Sequence, residues 1–177
     1  SVMCIRDRFI AEALEYSGEG DLLKAYENLK KKLLLEGLFE ESFKKVIPSM
    51  PMHIGVVSSP SGAVIQDIRN ILERRAPLSK VTLSPSLVQG EKADDQIIKA
   101  LEMLTTFNES YKIDLIIIAR GGGSLEDLWC FNSEKLARKI YSLEIPIISA
   151  IGHETDFTIC DLVSDLRAPT QSSAAEI

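Results

Sequence analysis

A glycine-rich loop headed by an arginine is the first feature of this sequence that could do chemistry. Its residues are Arg120, Gly121, Gly122, Gly123 and Ser124. Three glycines let the backbone approach a ligand closely and aim several N–H groups at one anion, and Arg120 adds a cation whose geometry suits phosphate. The loop therefore predicts a site for a phosphate or phosphodiester; the alternative is a flexible turn with a surface arginine. No Gly-Lys-Ser/Thr follows, so it is not a Walker loop, and the G-x-G-x-x-G fingerprint is also absent.

One of the two histidines lies in a second polar loop. His153 follows the apolar run Ile145–Ile151, and Asp156 comes three residues later. A histidine there could act as general base, general acid or nucleophile at neutral pH, and a carboxylate one helical turn away could fix its tautomer. Two alternatives stay open: a polar loop whose aspartate caps the next helix, or a metal site that uses His153, Glu154 and Asp156.

Two candidates elsewhere in the chain are weaker. Ser59 and Gly62 connect a short apolar run to a helical stretch, and the free N–H groups at a helix start bind anions. An ordinary Ser-capped turn explains this segment equally well. Asp67 lies on the helical stretch itself, where a lone aspartate is usually only solvated. Within the glycine loop, Ser124 and Asp127 also match a helix N-cap pair, so they have a structural alternative too.

Alternating apolar runs and amphipathic stretches must position these loops. The predicted strands are Ile54–Val57, Lys80–Ser84, Leu115–Ala119 and Ile145–Ile151, and the predicted helices span about Val64–Arg75, then Glu91–Phe107 and Ser133–Leu143. Continuous apolar runs suit strands buried on both faces. The pattern predicts an α/β fold, with a mostly parallel sheet and helices on both faces.

In such sheets ligands bind outside the carboxyl ends of the strands. The loops at those ends should therefore hold the chemistry. They are Ser58–Gly62, Ser84–Gly90, Arg120–Asp127 and Gly152–Asp156. Outside them, His53 is expected to be structural, and Asp161, Asp165 and Arg167 are expected to form a charged helical face.

The first quarter of the chain has a different character. Residues 1–8 have no useful periodicity and are predicted to be a non-native scar. A helix is expected from an N-cap at Asp21 to Gly37. Pro48 and Pro51 then bracket a short linker, so a domain boundary is predicted there, with the α/β domain over residues 48–177.

Composition limits the class of protein. With 45% hydrophobic and 26% charged residues the chain is typical of globular proteins rather than disordered ones. Its apolar runs are too short for a membrane span, and no leader is evident, so no membrane partner is expected. Three cysteines far apart argue against a disulfide framework or zinc ribbon and favour a cytoplasmic location. The net charge of −6 by itself disfavours a nucleic-acid partner, although most of the acidic excess lies in residues 113–177.

Taken together, the motifs resemble those of the bacterial exodeoxyribonuclease VII large-subunit family. The most specific matches are Arg120–Trp129 and Gly152–Asp156; the others are Gly18–Gly20, Glu36–Phe39, Ile54–Ala63 with Asp67-Ile68, Val88–Gly90 and Asp165–Thr170. The resemblance implies an OB-type nucleic-acid-binding domain, then this α/β nuclease domain, then a coiled-coil region that recruits a small subunit. Residues 9–47 would be the end of the OB-type domain and a helical linker, and residues 48–177 a catalytic domain truncated at its C-terminal side.

The resemblance also implies an activity. Members of the family degrade single-stranded DNA from either end into short oligonucleotides, with no cofactor strictly required. The family's functional positions fall on Asp67, Arg120, His153 and Asp156. A dependence on a divalent metal such as Mg²⁺ stays open, with Asp67, Glu154 and Asp156 as its ligands.

These residues suggest in-line hydrolysis of a phosphodiester. His153 would activate water or protonate the leaving oxygen, Asp156 would orient it, and Arg120 with the amides of Gly121–Gly123 would stabilise charge on the phosphoryl oxygens. Asp67 would position water or pair with Arg120.

The main alternative is a non-catalytic phosphate- or nucleotide-binding α/β module. A dinucleotide-dependent oxidoreductase is disfavoured because the glycine spacing it needs is missing.

Overall fold

The computed structural model describes residues 20–152 and 157–177, and the chain divides into two units between Gly37 and Leu38. In the first unit, residues 20–35 form helix α1. Gly37 ends the helical segment with a φ of +80°, a conformation that favours glycine, as predicted. The expected N-cap at Asp21 is wrong, because Gly20 before it is already helical.

The second unit is built on a five-stranded, fully parallel sheet with strand order β2-β1-β3-β4-β5. The strands are β1 His53–Ser58, β2 Lys80–Pro85, β3 Leu115–Ala119, β4 Ile147–Ala150 and β5 Leu166–Arg167. β3 is buried along its whole length, as the continuous apolar run predicts. Because all strands run the same way, the loops after β1, β2, β3 and β4 leave one edge of the sheet, called here the carboxyl edge.

Helices cover both faces of this sheet. They are α2 Ala63–Arg75, α3 Ala93–Asn108, α4 Leu125–Leu128, α5 Glu134–Ser142, α6 Ile159–Val163 and α7 Gln171–Glu176, with 3-10 turns at Glu41–Phe43 and Trp129–Asn132. Alternate residues of β1, β3 and β4 form a core with the apolar sides of α2 and α7. On the other face α3 packs so closely that a Cβ at Gly55 would lie 3.0 Å from Leu104 Cδ1. The predicted α/β fold is confirmed.

The predicted charged helical face near the end of the chain is wrong. Asp161 lies in α6 but is 3% exposed, Asp165 lies between α6 and β5, and Arg167 belongs to the strand β5. Periodicity did not reveal this because both elements are short. The Asp165 carboxylate accepts backbone N–H bonds from Lys45 and Ile147, each at 2.7 Å, so it connects two segments of the fold instead of facing water.

His53 is structural, as expected. Its Nδ1 lies 3.0 Å from the Lys112 carbonyl oxygen and its Nε2 lies 2.8 Å from Thr82 Oγ1.

The described helices include none long and apolar enough to cross a membrane.

Candidate active site

The strand order places a crevice between β1 and β3. The chain leaves β1 for α2 on one face of the sheet and leaves β3 for the elements on the other face, so the two loops diverge at the carboxyl edge. Such a topological switch point is where ligands bind in open α/β sheets. The structure brings the predicted segments Ser59–Gly62 and Arg120–Ser124 to this point. A Cβ at Gly121 would lie 3.5 Å from Val64 Cγ2, so the glycine loop contacts the first turn of α2.

Arg120 is a buried cation, and its partners among the described residues leave one guanidinium nitrogen without an acceptor. Its backbone N–H donates to the Ala150 carbonyl oxygen at 3.1 Å, which fixes the residue against the end of β4. The residue is 5% exposed, Nη2 donates to Gln89 Oε1 at 3.1 Å, and Asp127 Oδ2 lies 3.7 Å from Nη2. Among the described residues none accepts a hydrogen bond from the buried Nη1. A buried charge normally needs complete hydrogen bonding, so the described part of the site lacks one acceptor, for which an anion is the best match.

The guanidinium lies directly against the backbone of the glycine loop. A Cβ at Gly123 would overlap the guanidinium and lie only 2.8 Å from Arg120 Cζ. The absence of a side chain at this position is therefore what lets the cation fold back over its own loop. Gly121 and Gly123 have negative or extended φ values, so close approach rather than a left-handed turn explains Gly123.

The helix N-cap predicted for Ser124 and Asp127 is confirmed. Ser124 Oγ accepts from the Asp127 backbone N–H, and the Asp127 carboxylate accepts from the Ser124 N–H at 3.1 Å and the Ser124 hydroxyl at 2.9 Å. These hydrogen bonds, helped by the charge of Arg120, lower the pKa of Asp127. The capping box thus holds an ionised carboxylate near Arg120, on an exposed side of the loop.

The N-terminus of α2 is open at the crevice. Gly62 is its N-cap residue and none of the described side chains caps the helix, so the alternative of a Ser-capped turn is not what the structure shows. Ser59 Oγ lies 3.4 Å from Ser61 Oγ instead. With no cap from a described side chain, the first N–H groups of this 13-residue helix can bind a ligand or water.

Asp67 lies on α2 and is exposed, with no hydrogen bond or ion pair to any other residue that the structure describes. The contact with Arg120 that the sequence suggested is absent, since Gln89 and Asp127 are beside the guanidinium instead.

His153, Glu154 and Asp156 lie outside the described residues. Their loop starts where β4 ends, next to β3, with Ala150 paired to Ala119.

Gln89 is the residue at this site that the sequence did not single out for a role. It lies in the predicted polar loop after β2 and within the family match Val88–Gly90, and these two signals could have pointed to it. Cys130 is a poor nucleophile, because burial raises the pKa of its thiol to about 11. Within the described ranges no three His, Cys, Asp or Glu residues are grouped as a metal site would need.

Comparisons with known proteins agree with this architecture. A family model described as "Exonuclease VII, large subunit" matches residues 38–177. The exodeoxyribonuclease 7 large subunit of Hahella chejuensis is 53% identical over 169 residues, which are 96% of this chain and 37% of that protein. The protein of the same name from Ruminiclostridium cellulolyticum is 56% identical over 167 residues, 94% of this chain and 41% of the relative.

A third relative of that name, from Chlamydia pneumoniae, is 52% identical over 170 residues, 96% of this chain and 30% of the relative. The chain therefore spans well under half the length of these three relatives. The family model covers the whole sheet together with Arg120, the glycine loop and the start of α2. With more than half of the aligned residues identical to each relative, the chain belongs to the exonuclease VII large-subunit family.

Proposed function

We propose that this chain carries the catalytic domain of a nuclease that hydrolyses phosphodiester bonds of single-stranded DNA, from either end, to short oligonucleotides. The observation that carries the proposal is the buried Arg120 guanidinium with Nη1 lacking an acceptor among the described residues. A phosphate oxygen is the acceptor that a buried guanidinium matches best in charge and geometry. Membership of the family supports hydrolysis over a binding module, which would need the same phosphate contacts.

The described residues supply the part of the mechanism that stabilises charge. Arg120 and the amides of Gly121–Gly123 would hold the phosphoryl oxygens on one side of the crevice. The uncapped start of α2, at Ser59 and Gly62, would hold an adjacent phosphate on the other side. Such donors are fixed before the reaction, so they stabilise the transition state without reorganising.

Proton transfer is assigned to residues outside the described ranges. His153 would activate water or protonate the leaving oxygen, and Asp156 would orient the imidazole. Asp67, which is exposed on α2, would position water. We propose that no cofactor is required; a Mg²⁺-dependent route would instead use Asp67, Glu154 and Asp156 as ligands. The further partners proposed are single-stranded DNA and a small subunit, and the proposed location is the cytoplasm.

Cleavage of an end-labelled single-stranded oligonucleotide by the full-length large subunit with its small subunit tests the assignment. Arg120→Ala and His153→Ala should each lower kcat by about 10²–10³, the usual effect of removing a charge-stabilising donor or a general base. Arg120→Lys keeps the charge in the buried position and should fall between the wild type and Arg120→Ala. Arg74→Ala removes an exposed arginine of α2 and serves as the control.

Thermal unfolding of each variant separates lost chemistry from lost folding. Near-normal cleavage by both Arg120→Ala and His153→Ala would contradict the scheme, and retained oligonucleotide binding without any cleavage would favour the binding module. The assay repeated in EDTA distinguishes the imidazole route, which should persist, from the metal route, which should stop.

A further inference from the structure

A second feature of the carboxyl edge is an exposed aromatic ring backed by an arginine. Phe157 is 50% exposed although it lies next to the fully buried start of α6. The Arg167 guanidinium covers one side of its ring, with Cζ 3.9 Å from the ring centroid. This is a close cation–π contact, which holds the ring in one orientation while about half of the residue faces solvent.

The register of the sheet places this pair near Arg120. Arg167 of β5 is paired with Ser149 of β4, and Ser149 is paired with Ile118 of β3, two residues before Arg120. Adjacent strands are about 4.8 Å apart, so the β5 backbone at Arg167 is roughly 10 Å from β3. The ring and the Arg120 site therefore lie along the same edge of the sheet, within the span of a short stretch of polynucleotide.

Buried hydrogen bonds anchor the backbone beside the ring. Thr158 caps α6, and the Asp161 carboxylate accepts from the Thr158 N–H at 2.8 Å and from the Thr158 hydroxyl at 2.9 Å. The same carboxylate accepts from the Ser149 hydroxyl, and its Oδ2 lies 3.9 Å from Arg167 Nε. The two residues of the cation–π pair are thus attached to a single buried network, so the exposed ring is held in place before any ligand arrives.

We propose that Phe157, backed by Arg167, is a stacking platform for an unpaired nucleobase of the strand whose phosphate is held at Arg120. The proposal rests on the proposed function and adds to it a subsite for the base. Aromatic rings with nearby arginines bind single strands in this way, and do so without sequence preference because every base has a π-face. A single ring is too small for a protein interface, which needs a wide apolar patch, but it matches the area of one base.

The test compares Phe157→Leu with the wild type in the full-length large subunit assembled with its small subunit. The substrates are a single-stranded oligodeoxynucleotide and the same strand with a run of abasic sites. Phe157→Leu should raise KM for the ordinary strand by roughly tenfold, within the range of about 5- to 150-fold for loss of one stacked base, and should change kcat much less. On the abasic strand the substitution should have little effect, because there is no base to stack.

Two further variants make the result specific. Phe157→Tyr and Phe157→Trp keep an aromatic face and should restore a KM near that of the wild type. Phe43→Leu is the matched control: Phe43 is 55% exposed and packs edge-on against Tyr141, away from the carboxyl edge. Its substitution should leave both substrates unaffected.

The outcomes separate this inference from the proposed function. If the wild type cleaves single-stranded DNA but Phe157→Leu has an unchanged KM, or a KM raised equally on both substrates, the platform is disproved and the nuclease assignment stands. If the wild type does not cleave at all, the proposed function itself fails. An unfolded Phe157→Leu variant, detected by its melting curve, leaves the decision to Phe157→Tyr and Phe157→Trp, and a tenfold higher KM in both of these would overturn the proposal.

Discussion

Arg120 shows how individual side chains prepare the site for an anion. Its guanidinium is buried, and its side-chain partners in the described part of the chain are the neutral amide of Gln89 and the Asp127 carboxylate at a longer distance, 3.7 Å. A close ion pair would have neutralised the cation and competed with a phosphate. A neutral acceptor holds the group in place while most of its charge remains available to a ligand. Gly123 contributes by leaving room for the guanidinium.

Gln89→Leu tests this role of the amide. Gln89 is exposed, so the substitution should leave stability nearly unchanged, but Arg120 loses the acceptor that orients it. A hydrogen bond to a charged group is worth about 1.5–3 kcal/mol, so we expect kcat for single-strand cleavage to fall by roughly tenfold or more. Gln89→Glu keeps an oxygen acceptor but adds a charge that competes with phosphate, so KM should rise.

The control for this experiment lies on the same loop. Glu91 is exposed and has no hydrogen bond to any described residue, so Glu91→Leu should cleave normally. Equal activity of Gln89→Leu and the wild type at saturating substrate would show that Arg120 needs no support from the amide.

At the scale of the elements, two short helices hold the loops of the carboxyl edge, and both begin with a capping box. α4 is capped by Ser124 and Asp127, and α6 by Thr158 and Asp161. Helices of 4 and 5 residues have little stability of their own, so the caps and the surrounding packing decide whether they form. The two boxes differ in burial, since the α4 box is exposed and Asp161 is 3% exposed.

That difference predicts different costs for the same substitution. Asp161→Ala leaves the Ser149 hydroxyl and the Thr158 N–H without their acceptor in the interior, and should lower the free energy of unfolding by about 3 kcal/mol or more. Asp127→Ala, at the same position of the exposed box, should cost much less because water replaces the carboxylate. Urea denaturation of both variants measures the contrast, and equal losses would contradict it.

The exposed box should also respond to acid. Hydrogen bonds lower the pKa of Asp127 in the folded protein, so its contribution to stability is complete above the pKa of the unfolded carboxyl. The contribution is lost as the pH falls through the lowered value in the folded state. The wild type and Asp127→Ala should therefore converge in stability at acid pH.

At the scale of the whole molecule, the carboxyl edge and the opposite edge, where the strands begin, carry polar residues of different kinds. The carboxyl edge carries Arg120 and the polar loops. At the opposite edge, the carboxylates of Asp114 and Asp165 accept backbone N–H bonds at the starts of strands: Asp114 from Met52 and His53, Asp165 from Lys45 and Ile147. Through these bonds, most of them partly buried, the two aspartates bind the segment before β1 to the sheet.

Asp165→Ala should therefore destabilise the protein without changing its chemistry. Two backbone N–H groups lose a 2.7 Å acceptor, and we expect the free energy of unfolding to fall by about 3 kcal/mol while kcat of the folded fraction is unchanged. Lys45→Ala removes the ammonium, 3.3 Å from the carboxylate, but keeps the backbone N–H bond, and should cost under about 1 kcal/mol. Similar losses in the two variants would show that the ion pair, rather than the backbone bonds, stabilises this edge.

The sequence predicted those features that a single segment of chain determines. β3 was located to the residue, because a strand buried on both faces must be apolar at every position. The Ser124 and Asp127 cap was predicted because capping is a contact between residues three apart. β5, with 2 residues, and α6, with 5, were missed, because neither is long enough to show a period.

Only the tertiary structure decided how the loops meet. The motif Arg120–Ser124 predicted a phosphate site from the sequence by itself, but the order of strands β2-β1-β3-β4-β5 places it beside the start of α2 and the amide of Gln89. Strand order and the burial of a charged side chain depend on contacts between residues far apart in the chain, which no local pattern encodes. For that reason the residue types indicated the chemistry, while the fold decided that Arg120 is buried and which partners it has.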